Sequence, residues 1–175
     1  MSNYIALFRG INVGGRHILP MSDLAEILYQ LGCDNIQTYI QSGNVVFQNT
    51  SQQTSALAKS ISTKVAKVRG FAPKVLLLEA ADIEVAIANN PFPTENGKAL
   101  HFFFMEAVPP SPDLETLAKL KLPSEDFKLL HNVFYLYAPD GIGHSKLAEK
   151  VEKYLGTNVT ARNWNTVSKL LEMVK

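Results

Sequence analysis

The sequence has a single cysteine, few arginines and almost no net charge. Cys33 has no second cysteine with which to form a disulfide, and no basic segment followed by an apolar run opens the chain. A secreted, disulfide-stabilised protein is therefore not expected, and the sequence predicts a cytoplasmic location. A net charge of +1 provides no overall field for sequence-independent binding to nucleic acid or membranes.

Long apolar runs and metal-binding patterns are also missing. The longest apolar stretches, Val75–Leu78 and Phe102–Met105, are far shorter than the roughly 20 residues that cross a bilayer, so no membrane span is predicted. The four histidines show no paired spacing with each other or with Cys33, so no metal site is expected. No dinucleotide-binding glycine fingerprint is present, and no cofactor is predicted.

The apolar residues follow a β-α-β-β-α-β order that occurs twice. At 175 residues and 46% apolar content, the chain can form one large domain or two small ones. The order predicts an α+β fold of two ferredoxin-like subdomains in tandem, each with an antiparallel sheet and its helices on one face. We expect the subdomains to span residues 1–80 and 81–175, the second with an extra C-terminal helix, with one compact unit as the alternative.

A hairpin is predicted at Ile36–Gln48, where polar and apolar residues alternate. A two-residue turn at Ser42-Gly43 would place Gln41 opposite Asn44, and Tyr39 opposite Val46. The face that carries the polar side chains is expected to be uncovered.

Three segments carry a family resemblance: Arg9–Gly15 (RGINVGG), Thr38–Phe47 (TYIQSGNVVF) and Arg162–Val167 (RNWNTV). With these segments the chain resembles DUF1697, a family of bacterial proteins of unknown function. The resemblance implies tandem ferredoxin-like subdomains and implies no activity. His17 stands where members often carry another polar or basic residue, which weakens the case for a specific role of His17.

Three of the four arginines, Arg9, Arg16 and Arg162, lie in or beside these segments. Arginine presents a planar, permanently charged fork that suits carboxylates and phosphates. The sequence therefore predicts a binding module for a small anionic or nucleotide-like ligand, provided that the three segments are neighbours in the fold. The plainer alternative is that these arginines pair with acidic groups or with backbone carbonyls. The predicted ligand-binding residues are Arg9, Asn12, Gly14, Gly15, Arg16, Tyr39, Gln41, Ser42, Asn44, Arg162, Asn163, Trp164 and Asn165.

The glycine-rich loop after the first strand does not match a phosphate-binding loop. Arg16 and His17 replace the lysine and the hydroxyl residue of that motif, and Pro20 separates the loop from the next helix. Weak anion binding by exposed amides is one interpretation, and a flexible connection is the other. Ser145 is predicted to cap the helix that it precedes, and Asn163 to cap the last helix.

Two other classes of function stay open. An enzyme acting on such a ligand would need an acid or base, and His17, His144 and Tyr39 are the candidates, although no catalytic constellation is recognisable. A nucleic-acid or protein interaction module could use aromatic residues of the second sheet, and the near-zero net charge argues against nucleic acid. The aromatic-platform residues would be His101, Phe103, Met105, Tyr135 and Tyr137.

Overall fold

The computed structural model of the protein describes residues 1–41 and 43–175. Its secondary structure confirms the predicted order of elements, with differences of a few residues at their ends. The elements are β1 Ser2–Arg9, α1 Met21–Gln30, β2 Asp34–Tyr39, β3 Asn44–Asn49, α2 Thr54–Arg69, β4 Lys74–Glu79, α3 Ala80–Ala88, β5 Leu100–Phe104, α4 Leu114–Leu120, β6 Asp126–Leu130, β7 Val133–Tyr137, α5 Lys146–Leu155, β8 Thr160–Asn163 and α6 Trp164–Val174.

The described strands form two four-stranded antiparallel sheets, in the orders β2-β3-β1-β4 and β6-β7-β5-β8. Each sheet carries the β-α-β-β-α-β connectivity, so the predicted α+β fold of two ferredoxin-like subdomains in tandem is confirmed. Strands β1 and β5 occupy equivalent inner positions in the two sheets, and each pairs with a neighbouring strand on both sides.

The chain divides into two compact units, and the division falls inside two helices. The first unit comprises Met1–Glu84 and Lys169–Lys175, and the second comprises Val85–Ser168. The first unit thus includes the end of α6, where the Asn3 side chain donates a 3.3 Å hydrogen bond to the Val174 carbonyl. A boundary at residue 80, as the sequence predicts, would place all of α6 in the second subdomain, whereas the end of α6 belongs to the first unit.

In the first unit, the core lies between the sheet and helices α1 and α2. Tyr4, Phe8 and Phe47 on the sheet pack with helix residues that repeat at intervals of three and four. The helix residues are Leu24, Ile27 and Leu28 of α1, and Leu57, Ile61 and Val65 of α2. Helix α2 ends at Gly70, whose φ of 82° is the left-handed conformation that glycine adopts without steric cost.

In the second unit, Phe103, Phe134 and Leu136 of the sheet pack against α4 and α5. Ser145 caps α5, as predicted, because its hydroxyl accepts a 3.0 Å hydrogen bond from the Ala148 amide. No helix within residues 1–41 and 43–175 is both long and apolar enough to cross a membrane.

The hairpin register differs from the prediction. Tyr39 lies opposite Asn44, and Gln37 lies opposite Val46, so the connection runs from Ile40 to Gly43 and is longer than a two-residue turn. The expected turn residue Ser42 lies outside the described residues. Ile40 continues the apolar alternation of β2 in the sequence, but its φ of 51° takes it out of the strand.

The hairpin face expected to be uncovered is covered on β3. Asn44 is fully buried and Val46 is nearly so, whereas Gln37 on β2 is exposed and Tyr39 is half-buried. The polar, accessible part of this face therefore lies mainly on β2, while Gln48 at the end of β3 is half-buried.

The buried imidazole of His101 on β5 makes the stability of the second unit sensitive to pH. Burial lowers the pKa of His101, against a smaller opposite effect of the Ala99 backbone, so the folded protein takes up this proton at a lower pH than the unfolded chain, in which histidine titrates near pH 6.5. The unfolded state then binds more protons, and stability falls as pH drops through this range.

We expect a His101→Leu variant to lose less stability than the wild type between pH 7 and pH 5. The difference in slope should reach at most about 1.4 kcal/mol per pH unit, the limit for one proton. Urea unfolding at several pH values measures it, and His131→Asn, a change at an exposed histidine, is the control. Identical slopes for all three proteins would contradict this assignment.

Candidate functional site

The loop after β1 is an ordered, hydrogen-bonded hairpin. The Arg16 amide donates to the Val13 carbonyl at 3.0 Å, and the Asn12 amide donates to the His17 carbonyl at 3.0 Å. The two residues between Val13 and Arg16 are Gly14 and Gly15, whose φ values of 59° and 70° are typical of a type I′ turn. The two glycines thus form the turn at the tip of the loop, and the two backbone hydrogen bonds hold this turn in place.

Asn12 holds this loop against the β2–β3 hairpin. Its Nδ2 donates to the carbonyls of Leu19 and Gln41, both at 2.9 Å, and its Oδ1 accepts from the Leu19 amide at 2.7 Å. Because the side-chain amide of Asn12 is used for internal hydrogen bonds, Asn12 positions the loop, although the sequence predicted it to contact a ligand. The structure in this way brings together two of the three predicted segments, the RGINVGG loop and the hairpin connection.

Gly43 fixes the second contact between these segments. The Gly43 carbonyl accepts a 2.9 Å hydrogen bond from the Phe8 amide. A Cβ atom on Gly43 would lie 2.6 Å from Phe8 Cβ and 2.8 Å from Ile11 Cδ1, and φ is +85°. Only glycine fits this position without a shift of the surrounding backbone.

The predicted hairpin residues divide into structural and accessible groups. Asn44 is buried and donates a 3.2 Å hydrogen bond to the Tyr39 carbonyl, so its amide helps to close the hairpin. Gln41 is exposed and Tyr39 is half-buried. Ile40 is 53% exposed at positive φ, a costly conformation for a β-branched residue.

The arginines of the first unit have different surroundings. Arg9 is half-buried at the end of β1, opposite Lys74 of β4. Arg16 is exposed at the tip of the loop. Next to it, the His17 ring stacks on Phe71 at a centroid distance of 4.6 Å, and its Nδ1 lies 3.0 Å from the Gly10 carbonyl oxygen.

In the second unit, each residue of the RNWN segment has a local structural contact. Arg162 on β8 donates a 2.8 Å hydrogen bond to the Ala161 carbonyl, and burial lowers the pKa of its guanidinium to about 10, which leaves it charged at neutral pH. Asn163 caps α6, as predicted, by accepting a 3.0 Å hydrogen bond from the Thr166 amide. Trp164 packs 6.0 Å from the Phe102 ring, and the Asn165 amide lies over Gly97, where a Cβ would be 2.0 Å from Asn165 Oδ1.

The aromatic residues of the second sheet do not form an exposed platform. Phe103 packs into the core under the helices, and Tyr135 is 1% exposed, with its hydroxyl donating a 2.6 Å hydrogen bond to the Ala86 carbonyl. Tyr137 is half-buried and stacks on Phe92. Base stacking needs an accessible ring face, and the rings of Phe103 and Tyr135 are buried, so they cannot serve as the stacking platform that the sequence suggested.

Sequence reasoning missed a lysine-lined groove along α2, with a volume of about 470 Å³. A signal was available: no aspartate or glutamate occurs between Asp34 and Glu79, while this stretch contains four lysines and Arg69. Lysines on a helix surface usually serve solubility, and the informative signal is the absence of acidic partners in this stretch.

The comparisons with known proteins give a family and a structural relative. The family model described as "Protein of unknown function (DUF1697)" matches residues 1–135, and the chain belongs to this family. The conserved bacterial protein SP0830 from Streptococcus pneumoniae has a similar structure, with a TM-score of 0.73 and 27% sequence identity over 99% of each chain. No curated protein matches the chain.

The close approach at Gly43 leads to a stability prediction. Gly43→Ala should destabilise the protein by about 2–5 kcal/mol, because the strain of a left-handed alanine adds to overpacking against Phe8 and Ile11. Gly70→Ala is the matched control, since Gly70 has nearly the same φ and nothing within 4 Å of its Cβ position. Its cost should be about 1–2 kcal/mol, from strain alone. Urea unfolding measures both, and equal costs would show that the contact at Gly43 is not tight.

Proposed function

We propose that the protein is a binding module for a small anionic or nucleotide-like ligand, and that the loop tip of the first unit holds the anionic group. The observation that carries this proposal is the combination of three donors on a fixed hairpin. Arg16 is exposed, and the amides of Gly14 and Gly15 make no hydrogen bond within the described part of the chain. A guanidinium beside two backbone N–H groups is suited to bind a phosphate or carboxylate.

The hydrogen bonds of Asn12 support the proposal because they fix the loop before any ligand arrives. A loop that is already ordered loses less conformational entropy on binding than a mobile one. Three side-chain hydrogen bonds and the Val13–Arg16 turn keep the tip in one conformation.

Apolar side chains beside the tip support a ligand with an uncharged part. Val13 is 66% exposed and Ile18 is 51% exposed, and Ile40 is the third exposed apolar residue of these two segments. Ile18 and Ile40 directly precede Leu19 and Gln41, the residues that Asn12 joins. A nucleotide-like molecule could place its phosphate at Arg16 and its base on these side chains. Parts for Arg9 and for the Arg162–Asn165 segment stay predictions from the sequence.

Arg16→Gln should abolish most of the thermal stabilisation that a bound anion provides. For the wild type, a panel of nucleoside monophosphates, nucleoside triphosphates and inorganic phosphate should include at least one compound that raises Tm by several degrees at concentrations well above its Kd. Loss of a charge-assisted hydrogen bond should weaken binding by about 10- to 100-fold.

Lys121→Gln is the control for Arg16→Gln, because it removes one exposed positive charge from the second unit. Arg162→Ala in the same screen tests the predicted part of that residue, with each variant compared with its own ligand-free Tm. The proposal fails if no anion shifts Tm beyond chloride at equal ionic strength, or if Arg16→Gln keeps the full shift.

A further inference from the structure

The groove along α2 lies away from the loop tip in the sequence and is built differently. One face of the helix forms its wall, because residues at positions 59, 60, 63, 64 and 67 follow helical spacing. Leu31, just after α1, contributes an apolar side chain to the same groove. Its volume of about 470 Å³ lies within the range of roughly 300–1,000 Å³ typical of small-molecule sites.

The lysines of the groove lack acidic partners. The ammonium groups of Lys59, Lys64 and Lys67 make no ion pair or hydrogen bond with any described residue. Arg69 on the same helix pairs with Asp23 of α1, so that nearby carboxylate is already used. The groove therefore holds three like charges that the described residues do not neutralise.

Helix α5 shows that this arrangement is unusual for the chain. It also carries three lysines at helical spacing, Lys146, Lys150 and Lys153, but Glu149 and Glu152 lie between them. In α2 the like-charged pair Lys64 and Lys67, three residues apart, slightly disfavours the helix. A bound anion would relieve this repulsion.

The spacing of the lysines defines the kind of anion. At 1.5 Å per residue, Lys59 and Lys67 are about 12 Å apart along the helix axis, so a single phosphate contacts both ammonium groups only when both side chains bend toward it. A chain of linked phosphates can contact them in succession. Lysine binds phosphate as a point charge with rotatable donors, and Thr63 adds a hydroxyl on the same face.

We propose that the α2 groove is a second binding site, specific for ligands that carry several linked phosphate groups. Lys59, Lys64 and Lys67 neutralise successive phosphates, and Leu31 contacts an uncharged part of the ligand where one is present. The site shares no residue with the loop tip and does not depend on the function proposed for that tip.

Titration calorimetry with inorganic tripolyphosphate tests the site at constant ionic strength. All proteins carry Arg16→Gln, so that the loop tip contributes as little as possible to binding. We expect tripolyphosphate to bind at least tenfold more tightly than orthophosphate. The added changes Lys59→Gln, Lys64→Gln and Lys67→Gln should together reduce the affinity for tripolyphosphate at least tenfold.

The matched control replaces Lys146, Lys150 and Lys153 with glutamine in the same background, which removes equal charge from α5. It should keep the affinity for tripolyphosphate, and circular dichroism verifies that both triple variants are folded. An equal loss in the two triple variants, or equal affinity for orthophosphate and tripolyphosphate, would overturn the proposal.

A second ligand identifies the source of the phosphates. The probe is a single-stranded DNA of twelve thymidylates. Binding of this DNA that is lost in the α2 triple variant would show that the groove takes a nucleic-acid backbone. A plot of log K for this binding against the logarithm of the salt concentration should have a slope near −2, since three lysines release about that many counterions. Binding of tripolyphosphate without this oligonucleotide would assign the groove to a free phosphate chain. Binding of neither compound would refute the site.

Discussion

The burial of β1 on both faces is the constraint on which the first unit depends. Its residues Tyr4 to Phe8 are at most 1% exposed, and β1 pairs with β3 on one side and with β4 on the other. A strand enclosed in this way cannot slip in register without exposing apolar side chains. Its end is therefore a fixed point, and the loop that carries Arg16 starts from it. The Phe8–Gly43 hydrogen bond ties the β2–β3 connection to the same point, which explains how two segments separated by about thirty residues meet.

Much of the fold could be predicted because its signals are local and repeated. The spacing of Leu57, Ile61 and Val65 indicates a helix, and Gly70 marks its end. Short apolar runs such as Val75–Leu78 have the length and composition of buried strands. The last strand, Thr160–Asn163, is hard to recognise from sequence because it has only four residues and its register comes from pairing with β5, a long-range contact.

The hairpin register could not be predicted because it depends on one strained residue. Ile40 continues the alternation of β2 in the sequence, and β-branched residues favour strands. In the structure the tertiary contacts of Gly43 with Phe8 and Ile11 hold the connection, and Ile40 adopts positive φ. Local propensity thus predicts the wrong end for β2. The prediction of which residues share a face of the hairpin is still correct, because the register is shifted by two residues, which is one full period of a strand.

The candidate site is only partly predictable from the sequence, because side-chain amides can serve either the fold or a ligand. Asn12, Asn44 and Asn163 were chosen as ligand contacts, yet each uses its side chain to fix the backbone of a loop, a hairpin or a helix end. A side-chain amide can bond the chain or a ligand equally well, and sequence does not distinguish the two. Arg16 differs, since a guanidinium on an exposed turn has few backbone groups within reach.

The two cationic surfaces of the first unit differ in how they would hold an anion. At the loop tip, the glycine amides belong to a hydrogen-bonded turn, so short-range hydrogen bonds and their geometry would decide which anion fits. In the α2 groove, flexible lysines act through charge over longer distances, which salt screens within a Debye length of about 8–10 Å. Because flexible lysines would act mainly through charge, we expect a rise in ionic strength to weaken binding in the groove more than binding through short hydrogen bonds at the loop tip. As proposed, the groove would bind chains of linked phosphates through charge, and the loop tip would select an anionic group through the geometry of its donors.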